Sequence, residues 1–330
     1  MILAGDIGGT KTVLALYDSR GDELRQVREQ TFPSREHASL QEIVAAFLRG
    51  EKRLKLRAGC FGVAGPCLDG KCQATNLPWQ FDEVELAAAT GAPHVKLLND
   101  LEAAGYGMLH LKPDELTSLN PRAQPRHGGN IAVLAAGTGL GEAILYWDGE
   151  HHHPMATEGG HTDFAPTSEL EIDFLRYLLG KYPGHVSYER VLSGPGFFNL
   201  FSFLRERKYA RESAALAEKL AEGGNPNVVI TELGLANADP LCAATLEIFA
   251  TLYGAEAGNL ALKCLSVGGV FLGGGIAPKM LPALKEGPFL NAFLDKGRFR
   301  TLLEAMPVQV ALNPRAPLLG AAHYALRMIA

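Results

Sequence analysis

Short apolar runs punctuated by glycine open the chain. Met1 to Ala4 is followed by Thr12-Val-Leu-Ala-Leu-Tyr17, a turn at Asp18-Ser-Arg-Gly21 and a third run near Val27 to Phe32, which together predict an antiparallel meander. Helical spacing follows in Leu40 to Leu48. A continuous run from Ala58 to Ala64 predicts a buried strand, and after it come a helix near Val84 to Ala89, a strand Val95 to Leu98 and a helix from Leu101 onward. Between Leu111 and Gly129 the periodicity stops and Pro113, Pro121 and Pro125 appear, the composition of a linker. The pattern then restarts. Asn130 to Ala136 reads as a strand, Gly141 to Trp147 as its hairpin partner, and Glu169 to about Leu265 as mainly helical. Val270-Phe-Leu272 is again a strand, broken by Gly273-Gly-Gly275, with a short helix expected from Ala277. A last strand, Val308 to Leu312, precedes a final helix opened by Pro317, a residue suited to the first helical turn. Strands alternating with helices of these lengths predict mixed α/β sheets covered on their faces.

The two halves echo each other. Gly5 to Asp18 can be laid over Ala135 to Asp148, each being a strand, a small-residue turn with Thr, a second strand and an Asp-containing turn. Two copies of a glycine-tipped hairpin predict two related domains facing each other across a cleft.

Composition narrows the class. The 330 residues amount to about two domains at roughly 150 residues each, with 47 % hydrophobic and 20 % charged residues, far from the signature of disorder. The balance of 31 Lys and Arg against 36 Asp and Glu gives −5, and no dense basic run offers a footprint for a nucleic acid. Charges interrupt every apolar stretch well before the ~18 residues of a membrane span, and Met1 to Asp6 lacks the basic region of an export signal. No membrane partner is expected, and the cytoplasm is the expected location. Five cysteines in no CxxC arrangement fit reduced thiols there. The triplet His151, His152 and His153, after Asp148-Gly-Glu150, reads as a solvated loop rather than a metal site.

Several residues could carry chemistry. A glycine at a hairpin tip lets backbone N–H groups point outward at a ligand, so the tips at Gly8-Gly9 and Gly137 to Gly141, with the Thr10 and Thr138 hydroxyls, could hold a polyphosphate from both sides. Each tip alone reads equally as a tight turn. No G-x-x-x-x-G-K-[ST], complete G-x-G-x-x-G or G-x-S-x-G string is present, which disfavours a P-loop, a dinucleotide site and an esterase elbow. Asp6 ends an apolar strand, where a carboxylate is costly unless it has a partner such as hydrated Mg²⁺, or unless it caps its own turn. Asn99 and Asp100 stand at the C-terminal end of a buried strand, where ligands gather in open α/β sheets, yet Asp100 would equally serve as the N-cap of the next helix. Glu158-Gly-Gly-His161 places two functional side chains on a loop, and Glu189 is a further candidate. Carboxylates, an amide and an imidazole suit a polyhydroxylated ligand, whose hydroxyls both donate and accept.

These strings together are familiar. Asp6-Ile-Gly-Gly-Thr-Lys11, Leu98-Asn-Asp-Leu-Glu-Ala103, Gly137-Thr-Gly-Leu-Gly141, Glu158-Gly-Gly-His161, Glu189-Arg-Val-Leu-Ser-Gly-Pro-Gly196 and Gly273-Gly-Gly-Ile276, in this order, resemble the bacterial glucokinase family, within the group of sugar kinases, Hsp70 and actin. The resemblance implies an α/β, two-domain actin/hexokinase-like (ribonuclease H-like) fold with the active site in the interdomain cleft. It implies a small domain of residues 1–110, completed by a C-terminal helix at about 314–330, and a large domain of residues 111–313. It further implies that Asp6, Ile7, Gly8, Gly9, Thr10 and Lys11 contact the ATP phosphates, that Asp6 orients hydrated Mg²⁺, and that Thr138 and Gly139 make the second phosphate contact. Gly274 and Gly275 would let the adenosine approach; Asn99, Glu158, His161 and Glu189 look like hexose ligands, and Asp100 matches the general base. Thr162 to Lys181 contains no cysteine, so the structural zinc of the related repressor/kinase branch is not expected. By analogy the protein is a homodimer. The expected reaction moves the ATP γ-phosphoryl to the 6-hydroxyl of glucose. Its rivals are a kinase for another hexose or an N-acetylhexosamine, use of ADP or polyphosphate as donor, and a non-catalytic sugar-sensing or actin-like protein.

Overall fold

The computed structural model describes residues 1–329 except 22, 51–53, 125 and 127, so Pro125 of the expected linker lies outside the described residues. The chain opens with β1 (Ile2–Ile7), β2 (Lys11–Arg20) and β3 (Glu23–Pro33), the meander read from the apolar pattern. Helix α1 (Leu40–Phe47) follows, then β4 (Ala58–Val63), a small sheet of β5 (Cys67–Leu68), β6 (Lys71–Gln73) and β7 (Gln80–Asp82), helix α2 (Glu83–Thr90), β8 (Val95–Asn99) and α3 (Asp100–Met108). The main sheet runs in the order β3-β2-β1-β4-β8, with β4 and β8 parallel to β1. Every residue of β4 is buried, because helices cover both faces of the parallel part.

The second sheet is built from β9 (Leu116–Ser118), β10 (Ile131–Ala136), β11 (Leu140–Trp147) and β12 (His152–Ala156). Helices α4 (Glu169–Lys181), α5 (Gly194–Glu206), α6 (Ala214–Ala221), α7 (Pro226–Leu235) and α8 (Pro240–Cys264) come next. After β13 (Gly269–Gly273), α9 (Leu281–Lys285), α10 (Pro288–Leu294), α11 (Arg300–Glu304) and β14 (Val308–Ala311), helix α12 (Ala316–Arg327) closes the chain. The order is β12-β11-β10-β13-β14-β9, whose first five strands repeat the connectivity of the first sheet. The hairpin echo in the sequence is thus the visible part of a repeated sheet. Helix α12 returns to the first sheet: Ala321, Ala322 and Ala325 are buried with Ile2, Ala4, Ala58 and Cys60.

Four expectations are corrected. The linker contains β9, which pairs antiparallel with β14; a strand this short leaves no periodicity to read. The expectation of reduced thiols fails at Cys67 and Cys72, which form a disulfide across the β5–β6 hairpin. Asp69 and Gly70 supply the two left-handed residues of its turn, φ 51° and 74°, and bring the two cysteines into register. His152 and His153 belong to β12 rather than to a loop: the His152 ring bonds the Gly129 carbonyl at 2.9 Å, and His153 meets Asp148 at 2.6 Å. No helix begins at Ala277. Residues 274–280 form turns, in which the Lys279 and Met280 N–H groups both donate to the Ile276 carbonyl at 3.0 Å, and α9 starts four residues later.

Candidate active site

The first hairpin tip is closed by the Gly8 N–H, which donates to the Lys11 carbonyl at 3.0 Å. Ser34 fastens it from behind. Its hydroxyl donates to the Gly8 carbonyl at 2.8 Å and lies 2.9 Å from the buried Thr12 hydroxyl, and its N–H donates to the Thr10 carbonyl. Gly8 and Gly9 are half-buried, whereas Thr10 and Lys11 are exposed and free to meet a ligand. One residue before the end of β1, Asp6 has its pKa raised by burial, against the pull of the nearby Lys11 and Arg315 cations. A half-buried carboxylate at this sheet edge, with the Asp100 carboxyl close enough to act on it, suits a hydrated divalent ion.

Strand β8 delivers Asn99 and Asp100 to the same edge of the first sheet. Asn99, not Asp100, is the N-cap: its side chain accepts from the Leu101 N–H at 2.8 Å, and Glu102 accepts from the Asn99 N–H at 2.8 Å, a reciprocal capping box. The Asn99 amide also donates to the Gly65 carbonyl at 3.1 Å. With the cap supplied by its neighbours, Asp100 becomes the first helical residue and takes only a shared contact from the Leu101 N–H, at 2.9 Å. Burial raises its pKa to about 6, and Asp6 and Glu158 push in the same direction. The cap explanation of Asp100 therefore fails, and a carboxylate poised near neutral pH remains.

The second tip is held differently. The Gly137 N–H donates to the Gly139 carbonyl at 2.8 Å, and the Gly194 N–H at the start of α5 donates to the Gly137 carbonyl at 2.8 Å. Glu189 accepts from the Leu140 N–H at 3.1 Å and lies so close to Gly139 that a Cβ there would stand 2.5 Å from its Oε2. Gly275 and Gly274 lie against this tip, and Ile276 N–H donates to the Ala136 carbonyl at 3.1 Å. The two halves meet at Gly141, where any side chain would strike Leu101 of α3. Glu158 and His161 are both exposed on the turn at Gly159–His161.

The fold brings Asp6, Asp100 and Glu158 into one acidic group, and it gathers Thr138, Gly139, Glu189, Gly274 and Gly275 at the second tip. Ile7 is buried, so its backbone rather than its side chain faces the tip. Asn99 is drawn away from a purely ligand-facing role by its cap and its Gly65 bond. Sequence reasoning missed Ser34 and Arg315. Neither lies in a glycine-rich string, and only the fold brings them to the first tip. Among the described residues no cluster of three or more His, Cys, Asp or Glu could hold a metal by protein ligands alone, and no helix is long and apolar enough to cross a membrane.

A family model described as Glucokinase matches residues 3–328. The glucokinase of Nostoc punctiforme is 40 % identical over 340 residues, covering 99 % of this chain and 99 % of its own. A glucokinase crystal structure from an Antarctic psychrotroph matches with a TM-score of 0.85 at 31 % identity, covering 99 % of this chain and 98 % of that one. A ROK family glucokinase from Streptomyces griseus, in complex with glucose and AMPPNP, shares the fold over 99 % of both chains, with a TM-score of 0.64 at 21 % identity. The two repeated sheets are accordingly the two domains of the actin-like sugar-kinase fold.

Proposed function

The chain belongs to the glucokinase family of ATP-dependent sugar kinases, and from that premise we propose that it transfers the ATP γ-phosphoryl to the 6-hydroxyl of D-glucose, giving glucose 6-phosphate and ADP. The observation that carries this reading is Asp100: its cap role is filled by Asn99 and Glu102, and burial holds its pKa at about 6. Phosphoryl transfer passes through a loose transition state, so the protein's task is to place two substrates in line and stabilise charge. Asp100 accepts the proton of the 6-hydroxyl as the oxygen attacks phosphorus, a role typically worth about 10²–10⁴-fold. Asn99, Glu158, His161 and Glu189 hold the sugar hydroxyls. The stretch Asp6–Lys11 and the pair Thr138 and Gly139 grip the phosphates through backbone N–H groups and hydroxyls, and Gly274 and Gly275 leave room for the adenosine.

Asp6 would hold Mg²⁺ through water, and the ion, when bound, neutralises phosphate charge. The domains divide near residue 110, with α12 returning to the first, and the reaction takes place in the cleft between them, in the cytoplasm of the cell. The homodimer expected by family analogy is checked by light scattering. The functional test is a coupled assay across hexoses, N-acetylhexosamines and the donors ATP, ADP and polyphosphate. ATP-dependent phosphorylation with glucose as the best acceptor is expected; a higher kcat/KM for another sugar or donor would replace the substrate assignment.

A further inference from the structure

Beneath the turn that carries Glu158 and His161 lie two carboxyl groups shut off from solvent. Glu142 on β11 is 1 % exposed and Glu256 on α8 is 0 % exposed. The Glu142 carboxyl packs directly under Gly159, where any side chain would collide with it, and the Glu142 carbonyl accepts from the Thr157 hydroxyl at 2.8 Å. Thr157 in turn accepts from the Gly159 N–H at 3.1 Å, so the turn is built on Glu142 from both its backbone and its side chain. Glu256 reaches the other sugar loop: Asn259 donates to its Oε2 at 2.9 Å and to the Tyr188 hydroxyl at 3.1 Å, next to Glu189.

The cations near this pair stand at Glu256, and among the described residues Glu142 forms no ion pair of its own. Lys263 stands 3.4 Å from Glu256 Oε1, and Lys296 is the other cation that senses Glu256. Tyr188, Tyr253 and Cys264, the remaining titratable groups facing the pair, are all held neutral by burial. Glu142 Oε1 is buried without a hydrogen-bond partner, and the Glu142 carboxyl lies within hydrogen-bonding reach of the Glu256 side chain. Two buried carboxyl groups in contact cannot both be ionised at low cost; one proton between them turns the repulsion into a hydrogen bond.

We propose that Glu142 and Glu256 share one proton, and that this carboxyl–carboxylate pair is the positioning device that holds the Thr157–His161 turn in its sugar-binding form. The inference rests on the glucokinase reading above. Burial, and then the Glu256 charge, push the Glu142 carboxyl up to about 8. The pair therefore keeps its proton at neutral pH and loses it above about pH 8, where the added negative charge drives the two side chains apart and distorts the turn. If only the protonated pair binds sugar, the glucose KM of the native enzyme rises about tenfold from pH 7 to pH 9 while the ATP KM stays level.

The test compares native, Glu142→Gln and Glu142→Ala enzymes over that range. The amide introduced by Glu142→Gln donates the same hydrogen bond without a titrating proton, so the glucose KM of that variant stays within about threefold of native at pH 7 and flat to pH 9. The Glu142→Ala variant, which has no donor there, shows a raised glucose KM at every pH. A native KM that stays flat, or an alkaline rise that persists unchanged in Glu142→Gln, overturns the proposal. Calorimetry on the native protein gives an independent reading that needs no variant. Glucose binding at pH 9, in two buffers of different ionisation enthalpy, takes up close to one proton, and at pH 7 almost none. No uptake at pH 9 also overturns it. Failure of the enzyme to phosphorylate glucose at pH 7 would instead refute the functional reading on which the proposal stands.

Discussion

The two hairpins share a topology and differ in what fastens them. The first tip is tied to its own domain by a small hydroxyl, with Ser34 bridging Gly8, Thr10 and Thr12. The second is tied to a helix start at Gly194 and to a carboxylate, Glu189. Charge divides the same way. Beside the first tip stand Asp6, Lys11 and Arg315, a mixed group suited to phosphate and a cation. The second tip has no charged residue of its own and borrows Glu189 from the loop before α5, through the Leu140 N–H. A repeated unit has thus been specialised by its surroundings: on the proposed reading, the first copy provides the polyphosphate and general-base chemistry, and the second couples nucleotide contacts to sugar recognition.

The sharpest way to break this division is Asp100→Asn, which keeps the shape and removes the base. Turnover falls by about 10²–10⁴-fold while glucose affinity measured by calorimetry changes by less than about threefold. Equal losses in both would return Asp100 to a structural role. Next in size is Glu158→Gln. Losing one charge-assisted hydrogen bond to sugar, worth about 1.5–3 kcal/mol, raises the glucose KM some ten- to hundredfold and leaves the ATP KM nearly unchanged. Ser34→Ala probes the first tip. It strips the buried Thr12 hydroxyl of its partner, costs about 1–3 kcal/mol in urea unfolding, and raises the ATP KM more than the glucose KM. The reverse ranking of the two KM values would remove the distinction between the tips. The smallest effect is expected from reducing Cys67–Cys72. The short loop it closes corresponds to about 2 kcal/mol of stability, seen as a lower urea midpoint in dithiothreitol with kcat retained.

Legibility in the sequence followed the length of each signal. The glycine tips, the strand ending at Asn99 and the helix after it stand out because the chain must be small and apolar there over many residues. Strand β9 and the β5–β6 hairpin leave no periodicity to read; the overlooked signal is Asp69-Gly70 between Leu68 and Lys71, a hairpin turn that sets Cys67 opposite Cys72. In the sequence Asp100 reads as the cap of α3, yet the Asn99-x-x-Glu102 spacing is that of a capping box and marks Asn99 as the cap instead. Glu142 and Glu256 lie far apart along the chain. Each alone resembles a surface glutamate, and the contact between them exists only once β11 is packed against α8.

The central claim is that a carboxylate at residue 100 takes the sugar's proton. Its most direct measurement is kcat/KM for glucose followed from pH 8 down to pH 4.5. Because burial raises the Asp100 pKa to about 6 and the base acts only when ionised, the account predicts a maximum near pH 7, limited on the alkaline side by the Glu142–Glu256 pair, and a tenfold fall for each pH unit well below 6. A profile that stays level through pH 6 and down to pH 5 would contradict it.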